Sequence, residues 1–251
     1  MLKLKYAGLT DQGRVRNNNE DAWSVSSDQK IFIVSDGMGG ERAGELASKI
    51  VTRVLQQCLP KIIGTSEKLS NDEVVSMVHS SLCELSNHLQ KETAQNPDLE
   101  GMGATVVVAV LLGKGIVLGH MGDSRCYLLR GTRMECLTKD HTMAQLLVDA
   151  GELSPEFASV HPLRSVLTCC VGMRGSAAPA VRFVDLQAGD RLLFCSDGLT
   201  GELSDWRIHA LLGPPEADPE KLCRDLVNAA NEEGGEDNIT VLVINVEETA
   251  K

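Results

Sequence analysis

Two Asp-Gly pairs follow apolar runs in this sequence, and their aspartates are the residues best suited to do chemistry. Asp36 comes directly after 31–35, and Asp197 comes after 192–196, far along the chain. Aspartate is a poor strand residue, while Asp-Gly is also the commonest turn pair. Each pair alone can therefore be a simple turn. Two similar pairs, each at the end of an apolar strand, favour a shared chemical role.

Two more aspartates have comparable positions. Asp123 lies between two strand-like runs, and Asp237 precedes the last one. Strand ends on one edge of an antiparallel sheet pair can converge, and clustered carboxylates repel one another unless cations bind. Oxygen ligands of this kind suit Mg²⁺ and Mn²⁺ rather than Zn²⁺. Glycine beside an aspartate, as at Gly37, leaves room for a backbone carbonyl to reach such an ion.

A fifth polar group lies near the N-terminus, where Arg16 precedes Glu20 and Asp21. Taken alone, this stretch is a polar surface turn. Together with the aspartates, the two carboxylates could hold metal-bound waters, and the guanidinium could grip two phosphate oxygens in a fork.

The elements that must position these residues follow from hydrophobic periodicity. Strand signals begin at 21–26 and 31–34, and continue at 105–112, 115–121, 126–129, 181–184, 191–195 and 239–246. Helices are predicted at 205–212 and 219–231 and around two apolar stripes: Leu46, Ala47, Ile50, Val51, Val54, Leu55, Cys58; and Val75, Val78, Leu82, Leu85, Leu89.

Helix pairs between hairpin-connected strands do not give the regular alternation of a doubly wound fold. They predict an α+β protein with antiparallel sheets and helix pairs on the outer faces. Without internal repeats, we expect a single domain over 1–251. The segment 141–172 is polar and broken by two prolines, so we interpret it as a small helical excursion over the main body.

The charge, the cysteine spacing and the apolar runs exclude several classes of protein. A net charge of −11 argues against a nucleic-acid binder, and it indicates either solubility or a field that bound cations could offset. The eight cysteines have no metal or disulfide spacing, which favours buried free thiols in a reducing compartment. With no leader-like start and no long apolar run, we expect a cytoplasmic protein without a membrane partner.

At this point the sequence resembles a known family, the metal-dependent protein phosphatases of the protein phosphatase 2C type, in their bacterial form. The resemblance rests on an ordered set of motifs: RNNNED at 16–21, VSDGMGG at 34–40, GMGATVVVAV at 101–110, GHMGDSR at 119–125, LTKDHT at 137–142, LLFCSDGLTGELSD at 192–205 and EDNITVLVI at 236–244. It implies a four-layer α-β-β-α fold, a central antiparallel β-sandwich flanked by helix pairs. It also implies hydrolysis of phosphoserine and phosphothreonine in proteins by a metal-activated water.

The resemblance also implies roles for individual residues. Two tightly bound Mn²⁺ or Mg²⁺ ions and a weaker third would be held by the following groups: Asp36, bridging the main pair; the Gly37 carbonyl; Asp197; Asp237; Glu20 and Asp21, acting through waters; Asp123, sharing the third ion with Asp197; and Ser165, approaching that third ion. Arg16 would hold the substrate phosphate, and 141–172 would be the family's mobile flap. Partners would be phosphorylated proteins and a cognate kinase, with the enzyme a monomer.

One position departs from part of the family. Some relatives have a histidine after Asp-Gly as a candidate proton donor, whereas this chain has Met38, whose thioether cannot donate a proton. A metal-bound water is our first candidate for the acid, and His161 is the second, although it could equally be a packing residue of the flap.

Four other functions fit parts of the sequence. A non-catalytic member of the fold would lack a ligand position, and none is missing. A serine esterase centred on Ser124 would need a nearby base, and the chain has no G-x-S-x-G elbow. A nucleotide-binding loop at 37–40 lacks the required glycine pattern. Hydrolysis of small phosphoesters rather than phosphoproteins is the nearest alternative.

Overall fold

The strands form two antiparallel sheets in a computed structural model that describes residues 2–66, 69–213 and 217–248. The first sheet has the order β1-β11-β10-β7-β8, formed by Leu2–Asp11, Ile239–Glu248, Arg191–Cys195, Arg125–Arg130 and Arg133–Cys136. The second has the order β2-β3-β5-β6-β9 with β4 beside β3, formed by Asp21–Val25, Ile31–Met38, Val106–Leu112, Gly115–Met121, Ala180–Asp185 and Gly103–Ala104.

Alternating side chains of each central strand enter different cores. In β3, Phe32 belongs to the core between the sheets, while its neighbour Ile33 packs in the core beneath the helices. In β11, Leu242 and Val243 divide in the same way. Successive strand residues point to opposite faces, so strands covered on both faces must be apolar throughout. This arrangement explains the unbroken apolar runs and places the sheets face to face between outer helices.

Two helix pairs complete the four layers and confirm the predicted fold class. Helices α1 (Glu41–Ser66) and α2 (Asn71–Gln95) pack on the second sheet, and α6 (Asp205–Leu212) and α7 (Pro219–Glu233) cover the first. Ser70 caps α2 through a reciprocal capping box with Glu73, which satisfies backbone donors at the helix start.

The apolar stripe predicted for α1 is confirmed except at Leu46, since its other six residues are buried or pack against the core beneath the helices. The fully buried residues repeat every fourth position as Ala47, Val51, Leu55 and Leu59, whereas Leu46 is 43% exposed. A broad stripe of apolar pairs leaves open which member faces the sheet, and packing against β3 selects one row.

The first strand, β1, was not predicted from the sequence. β1 pairs with β11 along ten residues, from Leu2 opposite Glu248 to Asp11 opposite Ile239. Its alternation of Leu2 and Leu4 with lysines is the pattern of a strand with one solvent-exposed face. The strand β8 was also missed, because it is short and largely exposed.

The cysteine prediction needs a partial correction. All eight cysteines lie in the described part of the chain and are free, but only Cys126, Cys170, Cys195 and Cys223 are buried, while Cys136 is exposed. Among the described residues, no helix is both long and apolar enough to cross a bilayer.

The segment 141–172, called the flap segment below, contains two short helices, α3 (Met143–Asp149) and α4 (Pro155–Ala158). Its two ends meet: Thr142 and Leu167 form an isolated antiparallel bridge, and the Thr168 amide donates to the His141 carbonyl at 2.8 Å. The segment therefore leaves and re-enters the body at one point. Its assignment as a flap stays a prediction, as does the single-domain boundary.

Candidate active site

Two adjoining cavities open where the aspartate-bearing segments meet. The floor cavity, about 450 Å³, extends along Asp36, Gly37 and Met38. The flap-side cavity, about 520 Å³, lies between the flap segment and the residues that follow Asp197. Both cavities share one wall, formed by Arg16, Asp123, Ser165, Asp197 and Asp237. Residues from six distant parts of the sequence thus reach a common cleft.

Asp36 lies inside β3, opposite Asp21 of β2, rather than after the strand end. Burial raises the pKa of Asp36 well above its usual range, and the charges of Asp21, Asp197 and Asp123 raise it further. The Asp36 amide donates to Thr105 Oγ1 at 3.0 Å, which fixes the backbone at this position. The Asp36 carboxyl is therefore held where burial and neighbouring negative charges disfavour its ionised form.

Asp197 begins the short helix α5 (Asp197–Thr200) directly after β10. Its pKa is raised, chiefly by burial and then by the charge of Asp237, while a hydrogen bond with Asp36 acts in the opposite direction. One of its carboxylate oxygens is buried and accepts no hydrogen bond from any residue that the structure describes. Such an orphaned acceptor is costly unless a ligand satisfies it.

Asp21 pairs with Asp36 across the sheet, and it lines neither cavity within the described structure. Its Oδ2 accepts a hydrogen bond from Ser196 Oγ at 2.7 Å, and its Oδ1 has no partner among the described residues. Burial raises the pKa of Asp21 to about 7, with Asp197 and Asp237 adding to the rise.

Glu20 is fixed mainly by its backbone. Its amide donates to Asn238 Oδ1 at 2.8 Å, and its carbonyl accepts from the Gly37 amide at 3.2 Å. A Cβ added at Gly44 would lie 1.7 Å from Glu20 Oε2, so the carboxylate rests directly on the first turns of α1. Glu20 also lines the floor cavity beside Asp36.

The two glycines that follow the aspartates are required by close packing. A Cβ at Gly37 would lie 2.0 Å from the Gly44 carbonyl oxygen, and one at Gly198 would lie 2.0 Å from the Asn238 carbonyl oxygen. The sequence predicted one role for Gly37, access of its own carbonyl to an ion. The structure adds a separate reason, because no side chain fits at either position.

Arg16 projects into the shared wall. Its Nη2 lies 2.6 Å from Asp237 Oδ2, and the side chain is about half exposed. Ser165, on the flap segment, lines both cavities, and Met38 lines the floor cavity. His161 lines neither cavity in the described structure, and its Nδ1 accepts the Leu163 amide at 3.2 Å. This contact favours the packing interpretation of His161 over a role as acid.

Asp123 follows β6 in a tight loop and is buried. Its pKa is raised well above the usual range, first by burial and then by Asp197 and Asp140. The next residue, Ser124, is 1% exposed, and its hydroxyl bonds Thr105 Oγ1 at 2.7 Å. A buried hydroxyl in such a contact is not a nucleophile, which removes the esterase alternative.

The carboxylates have the chemistry of a divalent-cation site. Buried like charges with unpartnered oxygens need compensating positive charge, and an all-oxygen donor set matches Mg²⁺ or Mn²⁺. Asp36 and Asp197 lie close enough for each to perturb the pKa of the other, and Arg16 pairs with Asp237. Within the described residues, no three acidic, histidine or cysteine side chains are arranged around one point. The donor set and its electrostatics fit cations, and Asp237 would have to exchange its pairing with Arg16 to bind them.

Several supporting residues were not singled out from the sequence. Asn238 donates from Nδ2 to the carbonyls of Gln12 and Asn18, at 2.9 and 2.8 Å, and so ties the N-terminal acidic loop to the start of β11. The Ser196 hydroxyl donates to the Asp21 carboxylate, and the Thr105 hydroxyl accepts from the Asp36 amide, so both residues fix an aspartate in place. Asn238 and Ser196 directly neighbour an aspartate, which is the signal that could have identified them.

Comparison with known proteins agrees with this geometry. The family model described as protein phosphatase 2C matches residues 12–241. A serine/threonine phosphatase, stp, of Listeria monocytogenes is 36% identical over 245 residues, covering 96% of each chain. Among solved structures, the serine/threonine phosphatase of S. agalactiae has a TM-score of 0.86 at 32% identity, over 98% of this chain and 100% of that one.

A further solved structure holds metal. The catalytic domain of the serine/threonine protein phosphatase PstP, in complex with two manganese ions, has a TM-score of 0.83 at 32% identity, over 99% of this chain and 100% of that one. A match of the family model over most of the chain, with relatives similar along nearly their full length, establishes the family. The chain is a member of the protein phosphatase 2C family of bacterial serine/threonine phosphatases.

Proposed function

We propose that the protein is a metal-dependent phosphatase that hydrolyses phosphoserine and phosphothreonine in other proteins. The observation that carries this proposal is the shared wall of the two cavities, where buried aspartates with raised pKa values lie beside a half-exposed arginine. Anionic side chains alone would repel a phosphate. Together with divalent cations and a guanidinium, the same wall becomes a phosphate site.

The ligands that we assign to the metals are those that the family resemblance implies. Asp36 and the Gly37 carbonyl, with Asp197 and Asp237, would hold two Mn²⁺ or Mg²⁺ ions, and Glu20 and Asp21 would act through waters. Bound cations of this kind lower the pKa of a water and offset charge on the phosphate oxygens. The structure of PstP with two manganese ions supports this number of tightly bound ions. Asp123, Asp197 and Ser165 would hold a third ion more weakly, since the chain offers it few groups.

The chain's own residues have three tasks in this mechanism. Arg16 would exchange its contact with Asp237 for two phosphate oxygens, holding the phosphorus in line for attack. The buried aspartates would fix the reacting groups and exclude bulk water. Met38 cannot supply a proton to the departing alkoxide, and His161 is turned to its own backbone. Water in the cleft would therefore protonate the leaving group.

The cellular setting belongs to the same proposal. The substrates would be phosphorylated proteins, the counterpart a serine/threonine kinase, and the role one in signalling. We expect a monomer in the cytoplasm. A phosphatase of small phosphoesters is the alternative, which would need only the phosphate-binding wall and no surface for a polypeptide.

The test compares phosphopeptides with p-nitrophenyl phosphate, with and without Mn²⁺. We expect Mn²⁺-dependent release of phosphate from the peptides. Asp36→Ala and Asp237→Ala should lose on the order of a hundredfold or more in kcat, because each would remove a metal ligand. Asp225→Ala, which breaks only a surface contact with Lys221, is the control and should match the wild type. Full turnover in excess EDTA would refute metal dependence, and activity confined to p-nitrophenyl phosphate would favour the alternative.

A further inference from the structure

The motif LTKDHT at 137–142, which had no assigned role of its own, lies against the motif at 119–125 that contains Asp123. Residues 137–142, called the strap below, run beside the loop 120–126 that contains Asp123. The His120 ring donates from Nε2 to the Lys139 carbonyl at 2.8 Å, and the rings of His120 and His141 stack with centroids 4.7 Å apart. The strap is therefore fastened to this loop by side chains as well as by backbone.

His141 holds the residue directly before Asp123. The His141 amide donates to the Gly122 carbonyl at 3.0 Å, and the Gly122 amide donates to His141 Nδ1 at 3.3 Å. Gly122 has a φ of +105°, and a Cβ there would lie 2.6 Å from Thr105 Cγ2. The backbone before Asp123 is thus confined by Thr105 on one side and hydrogen-bonded to the amide and the ring Nδ1 of His141 on the other.

A charged contact at Arg125, two residues after Asp123, also attaches this loop to the strap. Arg125 forms a two-pronged contact with Asp140, from Nε to Oδ1 at 2.9 Å and from Nη2 to Oδ2 at 2.7 Å. Both side chains are at most a quarter exposed. Planar pairs of this kind fix orientation as well as position. Asp123 therefore lies between two anchor points, Gly122 and Arg125, that both bind the strap.

The strap is also one root of the flap segment. The His141 carbonyl accepts the Thr168 amide at 2.8 Å, and Thr142 bridges Leu167. Ser165, which lines both cavities, is only two residues from this closure. One residue, His141, thus contacts the loop of Asp123 through Gly122 and the returning end of the flap segment through Thr168.

We infer that His141 is a positioning residue that sets Asp123 and the flap segment in a common register. It touches no substrate, and acts through Gly122 on one side and Thr168 on the other. This role rests on the proposed function, because it requires Asp123 to serve turnover. It goes beyond that function by assigning a task to the strap, and it predicts that His141 and Asp123 are coupled in energy.

The experiment is a double-mutant cycle measured as kcat on a phosphopeptide with Mn²⁺. His141→Phe keeps an aromatic ring to stack on His120 but loses the acceptor for the Gly122 amide. We expect about a tenfold loss of kcat in the wild-type background and less than about twofold in Asp123→Ala, where placement of that carboxylate no longer matters. His141→Asn should recover most of the loss, since its amide oxygen can accept the same hydrogen bond. His209→Phe, which removes one contact to the Thr132 carbonyl elsewhere, should change nothing.

A second measurement does not depend on turnover. Trypsin cleavage after Arg164, an exposed residue of the flap segment, should be several-fold faster in His141→Phe than in wild type and His209→Phe, and near the wild-type rate in His141→Asn. If His141→Phe does not fold, Asp140→Asn loosens the same strap through Arg125 and takes its place in the cycle. An equal loss of kcat with and without Asp123, or unchanged cleavage after Arg164, overturns the inference. Wild-type protein without phosphatase activity would instead refute the proposed function, and this positioning role with it.

Discussion

The metal-free protein should lose stability as pH rises, and Asp21→Asn should remove much of that loss. Asp21 is 6% exposed, and burial raises the pKa of its carboxyl to about 7. Repulsion by Asp197 and Asp237 acts in the same direction, while hydrogen bonds from Ser196 and Thr240 oppose it. Asparagine keeps an acceptor for Ser196 but carries no charge at any pH.

The sign and size of the effect follow from proton linkage. In the unfolded chain the Asp21 carboxyl has its ordinary pKa of 3.8, whereas in the fold its pKa is raised to about 7. Between these values the native state binds more protons, so its stability is full at low pH and falls as pH rises through the window. A difference of about three pKa units corresponds to at most about 4 kcal/mol. For a chain of this length, that amounts to a Tm change of about 10 °C.

The assay is thermal unfolding in EDTA from pH 4.5 to pH 8 for wild type, Asp21→Asn and the surface control Asp225→Asn. Asp36 and Asp123 also titrate in every variant, and removing the Asp21 charge relieves part of the repulsion that raises the pKa of Asp36, which stabilises Asp21→Asn further at high pH. We expect Tm of Asp21→Asn minus Tm of wild type to grow by about 10 °C across this range, and that of the control to stay constant. Added Mn²⁺ should raise the wild-type Tm more at pH 8 than at pH 5. A difference for Asp21→Asn that does not vary with pH would refute the reasoning.

Two further substitutions test the remaining assignments. Arg16→Ala should mainly raise KM for phosphopeptides if the guanidinium holds the phosphate in ground and transition states alike; a loss confined to kcat would place its contact in the transition state, and no change in either would make it a surface residue. Met38→Leu should leave the pH–rate profile nearly unchanged, since a thioether takes no part in proton transfer and leucine keeps its shape; a shifted limb of the profile would contradict this.

The sequence predicted the central strands well because both of their faces are buried. Within the predicted strands 105–112 and 115–121, residues 106–112 and 115–119 have no polar interruption, and the Gly113-Lys114 turn between them closes the hairpin of β5 and β6. β1 was missed because its lysines break the apolar run and its pairing partner lies at the other end of the chain. The stripe of α1 was predicted except at Leu46, because which row of the stripe is fully buried depends on the sheet beneath it, and periodicity alone does not specify that row.

The candidate site was predicted as a set of residues but not as a set of contacts. The motifs named the four aspartates, and the structure brings all four to one cleft. The sequence could not show that Arg16 pairs with Asp237, or that Asp36 and Asp197 lie close enough to perturb each other's pKa, since these residues belong to segments far apart in the chain. The attachment of the strap to Gly122 was equally invisible, because it depends on the loop geometry rather than on residue type.

The repeated Asp-Gly pair shows how this sequence can place like charges together. The two copies have different local structures, since Asp36 lies within a strand and Asp197 begins a helix. They share a glycine whose missing side chain lets another acidic segment approach. Gly37 contacts the Glu20 carbonyl and the first turns of α1, and Gly198 lies against the Asn238 backbone and the Asp237 Cβ.

Any side chain at these glycines would have to push the acidic segments apart. An added Cβ at Gly37 or Gly198 would lie 2.0 Å from a backbone oxygen, so the backbone itself would have to move. Metal ligand distances tolerate changes of only about 0.2 Å, which is less than such a movement. The glycines therefore set the spacing of the carboxylates, and the repulsion that this spacing creates is what a divalent cation would relieve.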